Sequence, residues 1–289
     1  MSSDTGAGRA EPTSADGHRD RLPLVVVSAS FDSFGLADVR RLQAARRAGR
    51  VHVRVWSDRL VAERTGKRPT LPEGERLFLA RSMRYVDSAS LVDRIASAIR
   101  PVDGEQPRLV VAAGDEDPEL RRAGERRGIN LVVVRDDELT GLPDDDLPPS
   151  DPNARRVIVT GCYDWLHSGH VEFFHEAAAL GELYVVVGSD RNVRLLKGPG
   201  HPLRGERERR YMAQAVRAVH RAQISTGHGW MDAEPEIATI RPHVYVVNED
   251  GDQPEKREFC RAHGLQYVVH RRTPHRGLPR RTSTSLRGY

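Results

Sequence analysis

The stretch Val157-Ile158-Val159-Thr160-Gly161-Cys162-Tyr163-Asp164-Trp165-Leu166-His167-Ser168-Gly169-His170 decides the fold class. Its first four residues form a short apolar run rich in β-branched side chains, as expected of a strand buried in a parallel sheet. Val171, Phe174 and Ala178 then follow helical spacing, and Gly181 is placed to end that helix. An isolated pair of histidines three residues apart is more often a surface pair or half of a metal site. At the junction of a strand and a helix it points to phosphate. Gly169 lets a phosphate chain approach the backbone, and the free N–H groups of a helix start attract anions.

Outward from this stretch, strands are predicted at 184–188, 243–248 and 266–269. Met212, Ala215, Val216 and Val219 form an apolar stripe assigned to another helix. Strands alternating with helices predict an α/β fold with a doubly wound parallel sheet, whose ligands bind beyond the carboxyl ends of the strands.

The same pattern occurs earlier in the chain. Val25 to Asp32 pairs with Val157 to Asp164 at an offset of 132, as do Gly49 with Gly181 and Ser57-Asp58-Arg59 with Ser189-Asp190-Arg191. At an offset of 133, Glu73, Glu75, Arg76 and Arg84 pair with Glu206, Glu208, Arg209 and Arg217. Gly141-Leu142-Pro143 pairs with Gly277-Leu278-Pro279 at 136. This register implies a tandem duplication. The expected layout is an N-terminal tail (1–21), a first domain (22–143), an acidic, proline-rich linker (144–154) and a second domain (155–289).

Gly161-x-Tyr163-Asp164-x-x-His167-x-Gly169-His170 resembles the signature of the cytidylyltransferase-like nucleotidylyltransferases, with Tyr163 in place of the usual Phe. The resemblance implies two Rossmann-like nucleotidylyltransferase domains. It makes His167 and His170 catalytic, with Gly161, Tyr163, Asp164 and Gly169 around the nucleotide. Arg281-Thr282-Ser283-Thr284-Ser285-Leu286-Arg287 resembles the family's terminal motif, which puts Ser283 and Thr284 beneath the phosphates; Arg281 replaces an apolar family position. Lys197 stands in a loop that resembles the family's catalytic lysine loop. Arg209 and Asp250 stand where relatives contact the nucleotide, and Arg272-Thr273 resembles the family's R-T pair. In the first copy Gly35, Ala37 and Asp38 replace His167, Gly169 and His170, and Thr65 replaces Lys197. An aspartate there repels a triphosphate, so the first domain is expected to keep the fold without the chemistry.

The implied activity is transfer of a nucleoside monophosphate from a nucleoside triphosphate to a small phosphorylated alcohol or sugar, with Mg²⁺ as cofactor and pyrophosphate released. The duplicated layout resembles the ethanolamine-phosphate cytidylyltransferases, whereas Ser189 to Pro199 resembles the bacterial heptose-1-phosphate adenylyltransferases. CTP is favoured over ATP, because the family at large and the duplicated relatives use it. The alternatives are a sugar-phosphate adenylyltransferase using ATP and an inactive nucleotide-binding regulator. A homodimer is left open.

Charged residues make up 30% of the chain and hydrophobic ones 38%, and no apolar run reaches the length of a bilayer span. Two cysteines, Cys162 and Cys260, are too few for a disulfide framework and suggest a cytoplasmic protein. The net charge of +4 decides nothing by itself, and no basic run is interleaved with aromatics as nucleic-acid binding would favour. The related H-x-G-H of class I aminoacyl-tRNA synthetases is set aside, because the chain has no K-M-S-K-S segment.

Overall fold

The computed structural model describes residues 22–282, apart from 114–117, 136–137, 140, 144–146 and 148. Ser283 and Thr284 therefore lie outside the described residues, as does the N-terminal segment 1–21.

Two α/β units follow one another. The first runs β1 (Leu24–Ala29), α1 (Leu36–Ala48), β2 (Arg50–Trp56), α2 (Asp58–Thr65), α3 (Glu73–Ser82), β3 (Ser88–Val92), β4 (Leu109–Ala113), α4 (Pro118–Glu125) and β5 (Asn130–Val134). The second runs β6 (Arg156–Gly161), α5 (Ser168–Ala178), β7 (Glu182–Val187), α6 (Asp190–Lys197), α7 (Glu206–Gln214), β8 (Val219–Ile224), α8 (Glu234–Ile240), β9 (Val244–Asn248), α9 (Pro254–Ala262) and β10 (Gln266–His270). The strands form two five-stranded sheets, β3-β2-β1-β4-β5 and β8-β7-β6-β9-β10, with every neighbouring pair parallel. The two orders are equivalent. Each central strand is apolar and buried because helices cover both of its faces.

Small devices recur at matching positions. Ser57 and Ser189 both cap a helix, each Oγ accepting the N–H three residues on at 3.2 Å. The amides of Asp58 and Asp190 donate to Glu73 and Glu206, at 2.8 and 2.7 Å. These contacts explain why those residues match between the halves.

Two expectations are corrected. The stripe from Met212 to Val219 is not one helix: α7 stops at Gln214, and Val219 opens β8. That strand is Val-His-Arg-Ala-Gln-Ile at a sheet edge, and only Val219 and Ala222 are buried, so it has no apolar run to announce it. Gly181 does not end the helix either: α5 stops at Ala178 with Ala179 as its C-cap, and Gly181 sits in the turn just before β7. A Cβ there would lie 2.1 Å from the carbonyl oxygen of Arg155, and one at its counterpart Gly49 would lie 2.0 Å from that of Pro23.

The units meet through reciprocal contacts. Met83 forms an antiparallel bridge with its own counterpart, Val216. The amide of Arg84 donates to Ala215 at 2.9 Å, and that of Arg217 to Ser82 at 2.8 Å. The Arg84 guanidinium donates to the carbonyls of Val216 and Val219, and that of Arg217 to Met83 and Val86. This is the pattern of an isologous interface, here within one chain. A continuous apolar core runs through it, including Leu79 and Met83 from one unit and Tyr211 and Val216 from the other. Tyr211 also donates to Gln43, and Phe78 meets His175 edge-on.

Arg84→Ala and Arg217→Ala should each destabilise the protein by about 1–3 kcal/mol, because each removes guanidinium hydrogen bonds that cross the interface. Urea unfolding should show the loss as a lower midpoint. Wild-type midpoints in both variants would mean that the guanidiniums add nothing to the interface.

Candidate active site

The chain leaves β6 at Gly161 and turns into α5 through residues 162–167. Tyr163 takes a left-handed backbone conformation (φ 51°), which folds its ring back over Gly161. A Cβ on Gly161 would lie 2.7 Å from that ring, so glycine is required there. The ring packs edge-on against His170 and Phe174. Phe31, the counterpart of Tyr163, has φ 54°, so this turn belongs to both units.

His167 is the N-cap of α5, and its Nδ1 accepts the Gly169 N–H at 3.1 Å. That bond places the proton of the neutral ring on Nε2. Its ring stacks on that of His170, with centroids 3.9 Å apart and planes 19° from parallel. His167 Nε2 and His170 Nδ1 are buried with no hydrogen-bond partner in the structure. Buried polar atoms without partners are uncommon, and here two stand on stacked rings at a helix start.

Asp164 and Arg209 are placed differently from expectation. The Asp164 carboxylate is buried and accepts the amides of Leu203 and Arg204 at 2.9–3.0 Å, which fixes the loop before α7. Asp32 does the same for Thr70 and Leu71 in the first unit. Arg209 is fully buried, donating to the carbonyls of Arg204, Cys162 and Gly188 and to Asp190. Arg76 makes the corresponding bonds to Leu71, Ser30, Trp56 and Asp58. Both residues brace the fold instead of facing a nucleotide.

A cavity of about 370 Å³ opens beyond the carboxyl ends of β6, β7 and β9. Gly161, Tyr163, His170, Lys197 and Asp250 line it, whereas Gly169 lies beside it, under the His167 ring. Lys197 is exposed at the end of α6, and Asp250 pairs with Arg272 at 2.7 Å. Arg272 and Thr282 bring the C-terminal segment into the cavity wall. Asn192, Trp230, Asp232 and Lys256 also line it and were missed from sequence. Asn192 exchanges two hydrogen bonds with the backbone of Gly229 and so sets the position of Trp230 next to it. Burial pushes the Lys256 ammonium down and the Asp232 carboxyl up from their usual values. Among the described residues no group of three or more His, Cys, Asp or Glu is arranged to hold a metal ion.

Burial, with the charges of Arg272 and Arg281, lowers the His167 pKa from 6.5 to about 3, and burial pushes His170 well below its ordinary value. Both rings are therefore neutral at pH 7. An unfolded imidazole protonates near 6.5, while native His167 stays neutral until about 3, so stability is lost as the pH falls through that window. At pH 5 the loss should be about 2 kcal/mol for such a ring. Urea midpoints at pH 7.5 and 5 should show it, and His167→Gln should shrink the difference. Equal pH dependence in the variant would mean that the native ring titrates normally.

A model of the cytidylyltransferase-like family matches residues 158–287. An FAD synthase from Aciduliprofundum boonei is 40% identical over 117 residues, which cover 39% of this chain and 75% of the relative. The chain belongs to the cytidylyltransferase-like family of nucleotidylyltransferases. The bifunctional protein HldE of Methylococcus capsulatus is 39% identical over 113 residues, covering 39% of this chain and 23% of that one. HldE of Alcanivorax borkumensis is 30% identical over 230 residues, covering 73% of this chain and 42% of its own. The chain thus spans less than half of these HldE proteins. Among solved structures, a lipopolysaccharide core biosynthesis protein from Thermoplasma volcanium matches at 25% identity and a TM-score of 0.36, covering 43% of this chain and 99% of that one. Among the described residues, no helix is long and apolar enough to cross a membrane.

Proposed function

We propose that the second unit transfers an adenylyl group from ATP to the phosphate of a small phosphorylated acceptor, releasing pyrophosphate. The observation that carries this reading is the pair of unpartnered imidazole nitrogens at the start of α5, beside a cavity lined by Lys197 and Arg272. An oxygen of the acceptor phosphate attacks the α-phosphorus of ATP, and the bond to the β-phosphate oxygen breaks. No protein nucleophile is needed, so the protein contributes position and charge. The His167 Nε2–H is a donor without desolvation left to overcome, and Lys197 and Arg272 offset the negative charge that gathers as pyrophosphate leaves. Ser283 and Thr284 are proposed to join this site from the terminal segment.

Mg²⁺ fits as an ion carried by the triphosphate, since it favours phosphate oxygens, one or two carboxylates and water. Asp232 and Asp250 are the cavity carboxylates within the described residues. When bound, the ion would supply charge neutralisation on the phosphates.

Two lines support ATP over the CTP favoured on sequence. An FAD synthase assembles a product that contains an adenylate, and 40% identity covers most of that relative. Ser189 to Pro199 resembles the heptose-1-phosphate adenylyltransferases. The equivalent strand orders and the reciprocal interface support descent of the first unit from a duplicate that lost its histidines. Asp38 now caps α1, accepting the Gly35 amide at 2.9 Å.

Pyrophosphate release should be measured with ATP and CTP against phosphorylated sugars, phosphoethanolamine and FMN. Turnover with ATP is expected; turnover with CTP alone would overturn the nucleotide assignment, and none with either would overturn the reaction. His167→Ala and His170→Ala should each lower kcat roughly 100- to 1,000-fold while the fold persists. Asp38→Ala should leave turnover near wild type and cost stability alone, about 1 kcal/mol from the cap together with the loss of its pair with the buried Arg41. A comparable loss of rate in that variant would place the first unit in the chemistry.

A further inference from the structure

We infer that Glu75, in the first unit, is a positioning residue for the phosphate site of the second, an inference that rests on the reading of that site given above. Glu75 lies on α3 and is fully buried. A buried carboxylate needs partners, and both of its partners come from the other unit. Oε1 accepts the Ser168 hydroxyl at 2.6 Å, and Oε2 accepts Arg281 Nε at 2.9 Å. A second guanidinium nitrogen of Arg281 lies 2.9 Å from the same oxygen.

These partners are parts of the site. Ser168 is the first residue of α5 and stands between His167 and Gly169, so its bond to Glu75 fixes the turn that aims both imidazoles. Arg281 immediately precedes Thr282 of the cavity wall, and its carbonyl oxygen would lie 3.7 Å from a Cβ on Gly169. Its positive charge acts on His167. Glu75 offsets that charge and holds the C-terminal segment against the helix start.

The opposite side of the interface provides a comparison. Glu208 is the counterpart of Glu75, and Leu36 is the counterpart of Ser168. Leucine has no hydroxyl to donate, and Glu208 pairs with Arg204 on its own unit. Arg204 lies close to Gly35, with its Nη2 3.9 Å from where a Cβ would stand. The bridging carboxylate is thus made only toward the unit that carries the histidines. A contact serving the interface alone would be as useful on either side.

The test uses the full chain, with Glu75→Gln, Ser168→Ala, Arg281→Ala and the double variant Glu75→Gln/Arg281→Ala. ATP dissociation constants, kcat and KM are measured in parallel with wild type. Glu75→Gln keeps the size of the side chain and removes its charge. It should lower kcat/KM roughly 10- to 100-fold, mostly in kcat, and weaken ATP binding roughly threefold to fivefold. Its thermal midpoint should stay near that of wild type. Ser168→Ala removes the same bond from the other unit and should show the same loss in milder form, which keeps the test open if Glu75→Gln fails to fold. The double variant should be no worse than the poorer single variant, because the two residues act as one contact. An interface role without a positioning one would instead lower the thermal midpoint and leave ATP affinity and kcat unchanged, and would overturn the inference. If wild type binds ATP but transfers nothing, the proposed reaction fails and the binding constants alone decide the role of Glu75. If wild type binds no nucleotide, both fail.

Discussion

The site depends on a buried guanidinium. Arg209 reaches from α7 to the carbonyl that follows β6, the carbonyl that follows β7 and the loop that Asp164 also grips. A cation taken wholly out of water is tolerable only with several good acceptors, and these acceptors are the places where the two strands release the chain. The strand ends cannot part without stranding the charge. The floor of the cavity is therefore fixed before any ligand arrives, and the histidine turn springs from that fixed point. Arg76 repeats the arrangement in the first unit, where no pair of imidazoles follows. The clamp is architecture shared by both halves, whereas the stacked pair of imidazoles belongs to one of them.

This division explains which parts of the site could be read from sequence. The turn that carries Gly161, His167, Gly169 and His170 was legible because a parallel strand followed by an amphipathic helix marks the strand-to-helix junction in sequence. Arg209 and Asp164 carried a misleading signal. The family resemblance put both beside the nucleotide, yet their side chains are committed to the protein; the retained partners Arg76 and Asp32 in the unit without histidines were the clue. Asn192, Trp230, Asp232 and Lys256 escaped because they come from three separate segments with no shared spacing. Only the folding of α6, the 3₁₀ turn at Gly229–Met231 and α9 beside β9 brings them together.

The fold itself was nearly all visible. Strands buried on both faces announce themselves as apolar runs, and four of the five in the second unit lie within two residues of their predicted bounds. The exception, β8, has one neighbouring strand and a polar alternation, so neither run length nor composition marked it. The helix stripe that swallowed it was a real apolar surface. Met212, Ala215, Val216 and Val219 are all buried, and Val216 meets Met83 of the other unit. Sequence showed that the surface was covered but not that the chain changes direction beneath its cover.

The bridge between Met83 and Val216 has one more consequence. Where identical subunits meet about a twofold axis, any substitution is made twice, and a residue that helps one active site is imposed on the other. Joined end to end, the halves escape that rule. One face can keep a carboxylate for Ser168 while the matching face pairs Glu208 with its neighbour and puts leucine where the serine would be. Covalent linkage turns a symmetric contact into two independently evolvable surfaces, one able to specialise as the support of the other.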